Sequence, residues 1–168
     1  MSGHRDASDH AVDPARIISR AAERGWKLAT AESLTGGAVV ARLVDVPGAS
    51  AVIAGGAACY SYQAKTRVLG VDAALLEATG AVTAEVATAM AAGALALYDA
   101  DLAVATTGVA GPGPDERGIP EGTVHLALAR RDGPGLTREV RLSGGRARIR
   151  AQSVEAALSL LGKALEER

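Results

Sequence analysis

Ser33 lies in Thr30-Ala31-Glu32-Ser33-Leu34-Thr35-Gly36-Gly37, between an apolar run and a helical pattern. A hydroxyl at that junction sits beside the backbone N–H groups that open a helix. Such groups bind anions, including the oxyanion of a tetrahedral intermediate. Gly36 and Gly37 let a ligand approach the main chain closely. The chemistry on offer is attack by Ser33 on a carbonyl carbon, with main-chain donors near Ser33 and from Thr35 to Gly37 holding the oxyanion. The competing reading is that Ser33 or Thr35 simply caps the helix.

A nucleophilic serine needs a base to take its proton. The chain has three histidines. His4 and His10 fall in a polar N-terminal stretch, and His125 lies in a strand pattern with no partner nearby. The Gly-x-Ser-x-Gly elbow is absent. No Cys/His cluster has the spacing of a zinc site, so neither a metal nor another cofactor is expected. A lysine is then the natural base, and Lys65 is the candidate. It follows an apolar run ending in Cys59-Tyr60-Ser61-Tyr62, which can bring Tyr60 and Lys65 over one site. To accept a proton it must be neutral, which requires a pKa brought down from about 10.4 to about 7. The alternative is an ordinary solvated lysine.

Two further segments have the composition of a binding site. Thr106-Thr107-Gly108-Val109-Ala110-Gly111-Pro112-Gly113-Pro114 follows a strand pattern and could wrap a phosphate or ribose with main-chain donors. It matches neither the Walker loop nor the dinucleotide fingerprint, and a surface turn is the plain reading. Arg146, beside Gly144-Gly145, could hold a phosphate in a charge-assisted pair. Arg146 and Arg150 share a face if a helix starts near Ala147, whereas Arg148 points elsewhere. A solvated helix start is the competing account.

The elements around these residues are legible from caps and periodicity. Asp13-Pro14 opens a helix that ends at Gly25. Residues 27–31 read as a strand and residues 36–44 as a helix burying Val39, Val40, Leu43 and Val44. Residues 51–60 read as a buried strand, with Gly55-Gly56 marking a bulge or a close neighbour. Helices are expected over 63–69, 72–79 and, capped by Thr83, up to Tyr98. A buried strand over 102–106 is followed by the Gly-rich loop. Residues 123–130 and 136–142 then form an antiparallel hairpin about Asp132-Gly133-Pro134-Gly135. An amphipathic helix over 148–167 buries Val154, Ala157, Leu158, Leu161 and Leu165. Alternating helices and strands followed by a hairpin predict an α/β fold, a three-layer α/β/α sandwich on a mixed sheet.

The chain's 168 residues suit one domain over 13–168, with residues 1–12 as a disordered tail. Hydrophobic residues make up 48% and aromatics only 2%, with no Phe, so the core must be built from many small aliphatic contacts. The Ala bias reads as a drift of the whole composition. A net charge of -1 supplies no field for nucleic acid or an anionic membrane. One cysteine, no signal-peptide pattern and no membrane-length apolar run make the cytoplasm the expected compartment. The expected assembly is a homo-oligomer, in the first instance a dimer.

Several blocks, in order and without large gaps, resemble the CinA C-terminal domain family over residues 14–165. They are Ala31-Glu32-Ser33-Leu34-Thr35-Gly36-Gly37, Val44-Asp45-Val46-Pro47-Gly48, Tyr60-Ser61-Tyr62-Gln63-Ala64-Lys65, Thr106-Thr107-Gly108-Val109-Ala110-Gly111-Pro112, Pro120-Glu121-Gly122-Thr123, and Gly144-Gly145-Arg146 with Ile149-Arg150. That family includes stand-alone nicotinamide-nucleotide amidohydrolases, and other members carry a further pyrophosphatase-like domain that this chain is expected to lack. The resemblance implies hydrolysis of the carboxamide of nicotinamide mononucleotide to nicotinate mononucleotide and ammonia. It also implies a Ser–Tyr–Lys set, which falls on Ser33, Tyr60 and Lys65, the proton passing from Ser33 to Lys65 directly or through Tyr60. Thr35, Gly36, Gly37, Thr107, Gly108, Gly111 and Arg146 are the substrate-binding candidates. Four positions depart from the family pattern: Leu34 for Cys, Tyr62 for Asn, Glu121 for Val and Gly145 for Asp. A non-catalytic pyridine-nucleotide-binding protein, or an amidohydrolase of another small amide, are the alternatives.

Overall fold

The computed structural model describes residues 12–167. In chain order the elements are α1 (Pro14–Arg24), β1 (Leu28–Glu32), α2 (Ala38–Val44), a 3-10 turn (Ala49–Ala51), β2 (Ile53–Ala58), α3 (Tyr62–Leu69), α4 (Ala73–Thr79) and α5 (Ala84–Leu97). They continue with β3 (Leu102–Gly108), β4 (Thr123–Arg130), β5 (Leu136–Arg141) and α6 (Arg146–Glu166). Local chemistry accounts for most boundaries. The Asp13 carboxylate accepts the Ala15 N–H at 2.9 Å, Pro14 opens α1, and Gly25 ends it at φ 66°. Ser61, Asp72 and Thr83 cap α3, α4 and α5 in the same way.

The sheet has strand order β2-β1-β3-β4-β5. The pairs β1–β2 and β1–β3 are parallel, while β3–β4 and β4–β5 are antiparallel. Side chains alternate across it. Leu28, Leu102, Val104, Leu126 and Leu128 face a layer with Ile17, Leu43 and Leu158 of α1, α2 and α6. Ala29, Ala31, Ala103, Ala105 and Ala127 face the other layer, with Leu69, Leu76 and Met90 of α3, α4 and α5. The three-layer mixed α/β fold is therefore the one expected.

Alanine is concentrated on one side of this sandwich, so its abundance has a positional role that composition alone did not reveal. At Gly93 of α5 a Cβ would collide with the backbone carbonyl of Leu69 at the end of α3. An Ala-lined sheet face lets the helices settle at that close range. Overpacking such a contact costs about 1–3 kcal/mol.

Three expectations need correction. The stretch 51–60 contains a strand on the sheet edge, with Ala54, Gly56 and Ala58 exposed. Small apolar residues are compatible with either position, and strand order decides. Gly55 and Gly56 do mark both an irregular register against β1 and close neighbours, the Tyr98 ring at Gly55 and the Thr30 hydroxyl at Gly56. Val44, expected in the core, is 54% exposed, because α2 turns Val39 and Leu43 inward. Val12 packs against the core, so it does not belong to the expected tail. The other tail residues, including His4 and His10, lie outside the described residues. No helix among the described residues is long and apolar enough to cross a membrane.

The connection β1–α2–β2 runs to one side of β1, and α3, α4 and α5 then lead back past β1 to β3. The order reverses between β1 and β3. A crevice opens at the carboxyl ends of such strands, where ligands of open α/β sheets bind.

Candidate active site

Ser33 follows β1 at this crevice, and the loop that carries it is held from within by its neighbour. The Glu32 carboxylate is buried and accepts N–H bonds from Gly37 and Val39 at 3.0 Å and from Val40 at 2.9 Å, plus the Thr30 hydroxyl at 3.2 Å. A negative charge is favoured at the start of a helix, and four donors offset the cost of burying it. The Ser33 N–H donates to the Thr106 carbonyl at 2.9 Å, and the Thr35 and Thr106 hydroxyls meet at 2.8 Å. These bonds pin the loop to the end of β3.

The pattern of amides narrows the expected oxyanion donors. The Gly36 N–H donates to the Ser33 carbonyl and the Gly37 N–H to Glu32, so both are engaged. The Leu34 and Thr35 amides have no protein acceptor among the described residues. They belong to residues only 3% and 0% exposed. The amide immediately after a nucleophile is a recurrent oxyanion donor.

Lys65 lies in α3, whose start is fixed by the Ser61 cap on the Ala64 N–H at 3.0 Å. It is 1% exposed, and its Nζ donates to Ser33 Oγ and to the Cys59 carbonyl, each at 2.9 Å. Burial pulls its pKa down to about 8, opposed in part by the nearby Cys59 thiol. With the amine neutral, the same heavy-atom geometry lets Ser33 donate to Lys65.

Tyr60 is 63% exposed, and its hydroxyl accepts from Arg146 Nη2 at 2.8 Å. Lys65 reaches Ser33 directly, so this geometry needs no relay through Tyr60. Arg146 Nη1 also donates to the Gly111 carbonyl at 2.8 Å. These two acceptors orient Arg146 although Gly145, at φ 81°, gives α6 no side-chain cap. Arg150, one turn on, donates from Nε to the Leu34 carbonyl at 2.8 Å and from Nη2 to the Thr35 carbonyl at 3.0 Å. Arg146 and Arg150 thus share the face expected of them.

A cleft of about 440 Å³ collects Ser33, Tyr60, Lys65, Thr107, Gly108 and Arg146 on its walls. That volume suits a small organic ligand. The Thr107 hydroxyl donates to the Ala81 carbonyl at 2.7 Å and keeps its lone pairs for acceptance. Thr35, Gly36, Gly37 and Gly111 are not among the lining residues. Thr35 turns its hydroxyl to Thr106, and Gly111 stands behind Arg146 as its anchor.

Of the four departures, Leu34 and Tyr62 line the cleft. Glu121 supports the Gly-rich loop, accepting the Gly113 N–H at 2.7 Å beside Gly111, where a Cβ would strike its carboxylate. His125 has a partner the linear sequence hid, Glu139 at 3.9 Å on the paired strand. Burial lowers its pKa.

Sequence reasoning missed Glu32 and Arg117. An acidic residue just ahead of a helix was the available signal for Glu32. Arg117 reaches the cleft while donating to the carbonyls of Ala78, at 3.1 Å, and Glu77. Nothing local to Arg117 announces that contact.

The sequence pattern of the CinA C-terminal domain matches residues 13–165. A CinA-like protein of Mycolicibacterium vanbaalenii is 49% identical over 156 residues, covering 92% of this chain and 37% of its own length. Another, of Mycobacterium tuberculosis, is 45% identical over 163 residues, covering 97% of this chain and 38% of its own. The chain therefore spans little more than a third of these curated relatives. The competence/damage inducible protein CihA from Agrobacterium tumefaciens superposes with a TM-score of 0.88 at 40% identity, over 99% of this chain and 100% of that one. A competence-damaged protein (CinA) superfamily protein from Enterobacter cloacae gives 0.89 at 31% identity, over 99% of both. With the sequence pattern, the identities and the superpositions agreeing along the described chain, the protein belongs to the CinA C-terminal domain family.

Proposed function

We propose that this protein is a cytoplasmic amidohydrolase that converts nicotinamide mononucleotide and water into nicotinate mononucleotide and ammonia. The observation that carries the reading is the 2.9 Å contact between Ser33 Oγ and the buried Lys65 Nζ, with the lysine pKa lowered to about 8. A pocket kept for binding alone gains nothing from burying a lysine against a serine, whereas a nucleophile and its base require it.

Neutral Lys65 takes the Ser33 proton as Oγ bonds to the carboxamide carbon. The carbonyl π pair moves onto oxygen, where the amide of Leu34 on the cleft wall offers a donor. The oxyanion then collapses, the C–N bond breaks, and Lys65 returns the proton to the departing nitrogen, giving ammonia. Water, deprotonated by the same lysine, cleaves the acyl-enzyme to nicotinate mononucleotide and restores Ser33. Thr107 and Gly108 line the path for the ribose, and Arg146, with Arg117 on the same cleft, supplies positive charge for the phosphate.

The test is ammonia release from nicotinamide mononucleotide, its riboside, free nicotinamide and a panel of unrelated small amides. The mononucleotide is expected to be hydrolysed best. No release from any pyridine compound would reject this substrate assignment, and release from another amide alone would transfer the mechanism to that substrate.

A further inference from the structure

Lys65 makes two contacts from one nitrogen. Its Nζ donates to Ser33 Oγ and to the Cys59 carbonyl, each at 2.9 Å. The second contact has no part in the reaction described above. We propose that Cys59 is a positioning residue whose main-chain carbonyl aims the Lys65 amine at Ser33, as the third partner behind nucleophile and base. This rests on the assignment of Lys65 as base made above.

A neutral amine has two N–H groups and one lone pair, set tetrahedrally about a nitrogen that turns freely on its carbon. To accept the Ser33 proton, the lone pair must point at Oγ. A hydrogen bond from one N–H to Cys59 stops that rotation and leaves the lone pair only the two remaining directions. A base oriented by a third group is the general signature of an activated nucleophile. The carbonyl oxygen also stabilises the positive charge that Lys65 gains as the proton arrives. That interaction is stronger in the transition state than before it.

The strand ladder fixes where this carbonyl lies. The Cys59 N–H donates to the Glu32 carbonyl at 2.8 Å, one rung beyond the Glu32–Ala58 pair of the parallel β1–β2 ladder. Continued regularly, that ladder would next bond the Leu34 N–H to the Cys59 carbonyl. The chain instead turns at Ser33, whose carbonyl takes the Gly36 N–H at 3.0 Å. The Cys59 carbonyl, in a residue 1% exposed, is left needing a donor. Among the described residues Lys65 Nζ alone supplies one. Ser33, covalently next to Glu32, and Lys65, bonded to Cys59, are thus set against each other by a single rung.

The test has two arms. The chain has one cysteine, so protein made with cysteine isotopically labelled at its carbonyl carbon carries one labelled carbonyl. Its NMR resonance should move with pH as the donor changes from ammonium to amine, with a midpoint near the Lys65 value of about 8. The titratable and charged groups around Lys65 are the Cys59 thiol and, on the cleft walls, Tyr60, Tyr62, Asp115, Glu116, Arg117 and Arg146. Burial pushes the thiol above its ordinary 9.0, so it titrates after the lysine. Lys65→Met keeps all of these groups and should lose the movement. In the second arm Tyr60 is replaced by its α-hydroxy acid, which turns the Cys59–Tyr60 amide into an ester with a weaker acceptor carbonyl. The Tyr60 N–H lost in this way has no protein acceptor among the described residues, and the ring and hydroxyl stay. A fluorophosphonate reads the pair without assuming an amide substrate. Ser33 Oγ bonds to phosphorus, fluoride leaves with the P–F electron pair, and the Ser33 proton passes to Lys65. In the ester protein, shown folded by a thermal melt, the plateau labelling rate should fall about tenfold, a fraction of the roughly hundredfold or more that a positioned base supplies. The midpoint of its rise with pH should move down by about half a unit, since a weaker acceptor supports the ammonium less. Loosened packing alone would admit water and move that midpoint up. A carbonyl resonance that ignores pH, or that moves equally in Lys65→Met, would overturn the proposal. So would a folded ester protein whose plateau is unchanged or whose midpoint moves up. Absence of wild-type labelling at Ser33 would instead overturn the nucleophile assignment, and the positioning role with it. Labelling without ammonia release would reject the substrate alone and leave the positioning role supported.

Discussion

Tyr60 and Arg146 meet at 2.8 Å on the wall of the cleft, although 86 positions separate them in the chain. The contact joins the residue ahead of the α3 cap to the first residue of α6 and leaves the tyrosine ring 63% exposed. On the proposed function it gives Tyr60 a distinct task, steadying the arginine assigned to the phosphate. Tyr60→Phe should therefore lower kcat/KM for nicotinamide mononucleotide by about tenfold or less, a charged hydrogen bond weakened by exposure. The riboside should be almost unaffected. Arg146→Ala should show the same selectivity more strongly. Specificity constants for both substrates check this, and an equal fall in kcat for both on Tyr60→Phe would place the tyrosine on the proton path instead.

Ser33→Ala should abolish ammonia release and leave a folded protein. The Ser33 side chain caps no helix, and its hydroxyl bonds to Lys65, so the structural loss is about one hydrogen bond, near 1 kcal/mol. Turnover within tenfold of wild type in this variant would end the case for a serine nucleophile. A thermal melt shifted by a few degrees at most is the companion expectation.

Activity should climb with pH through a midpoint near the lowered Lys65 pKa of about 8 and level off above it. Only the neutral amine accepts a proton, and at pH 7 about one molecule in ten holds it in that form. Lys65→Arg should be inactive at every pH, since a guanidinium does not deprotonate in this range. A flat profile of kcat between pH 6.5 and 9.5 (bounds set about a pH unit and a half either side of 8) would contradict the base assignment.

The same lysine should mark the stability curve. Its pKa is about 8 when folded against an ordinary 10.5, so between those values the unfolded chain binds more protons. Stability therefore rises with pH across that window, by about 3 kcal/mol at most, and below it the cost of burying the charge is fully present. Lys65→Met removes the titration and fills similar space. Denaturant unfolding at several pH values should show wild type approaching Lys65→Met as the medium turns alkaline. Parallel curves for the two proteins would show that burial does not lower this pKa.

What could be read in advance was whatever local chemistry dictates. Asp13, Asp72 and Thr83 announce helix starts because a short acceptor side chain reaches its own N–H two or three residues on. Ser33 and Lys65 could be paired by asking which residue was left to serve as base. Their actual contact, and the loss of bulk water around Lys65, come from β1, β2 and α3 packing together. Residues 51–60 illustrate the opposite limit, since an edge strand of Ala and Gly looks the same on paper as a central one. The candidate oxyanion donors near Ser33 and from Thr35 to Gly37 could not be narrowed within the loop for a similar reason. Which amides remain open depends on where the Glu32 side chain lands, and Arg150 holds carbonyls 115 and 116 positions away.

That reach has a consequence in time. A chain is made from its N-terminus, and folding follows emergence. Ser33, Lys65 and the parallel strands are all synthesised well before α6, whose arginines reach back to the nucleophile loop and to Tyr60. The central β1–β3 pairing can form early, but the Leu34 and Thr35 carbonyls beside Ser33 have no arginine to hold them until α6 docks. On the proposed function, each newly made molecule thus acquires the Ser33–Lys65 pair first and the arginines of the site afterwards, so the docking of one helix completes the cleft.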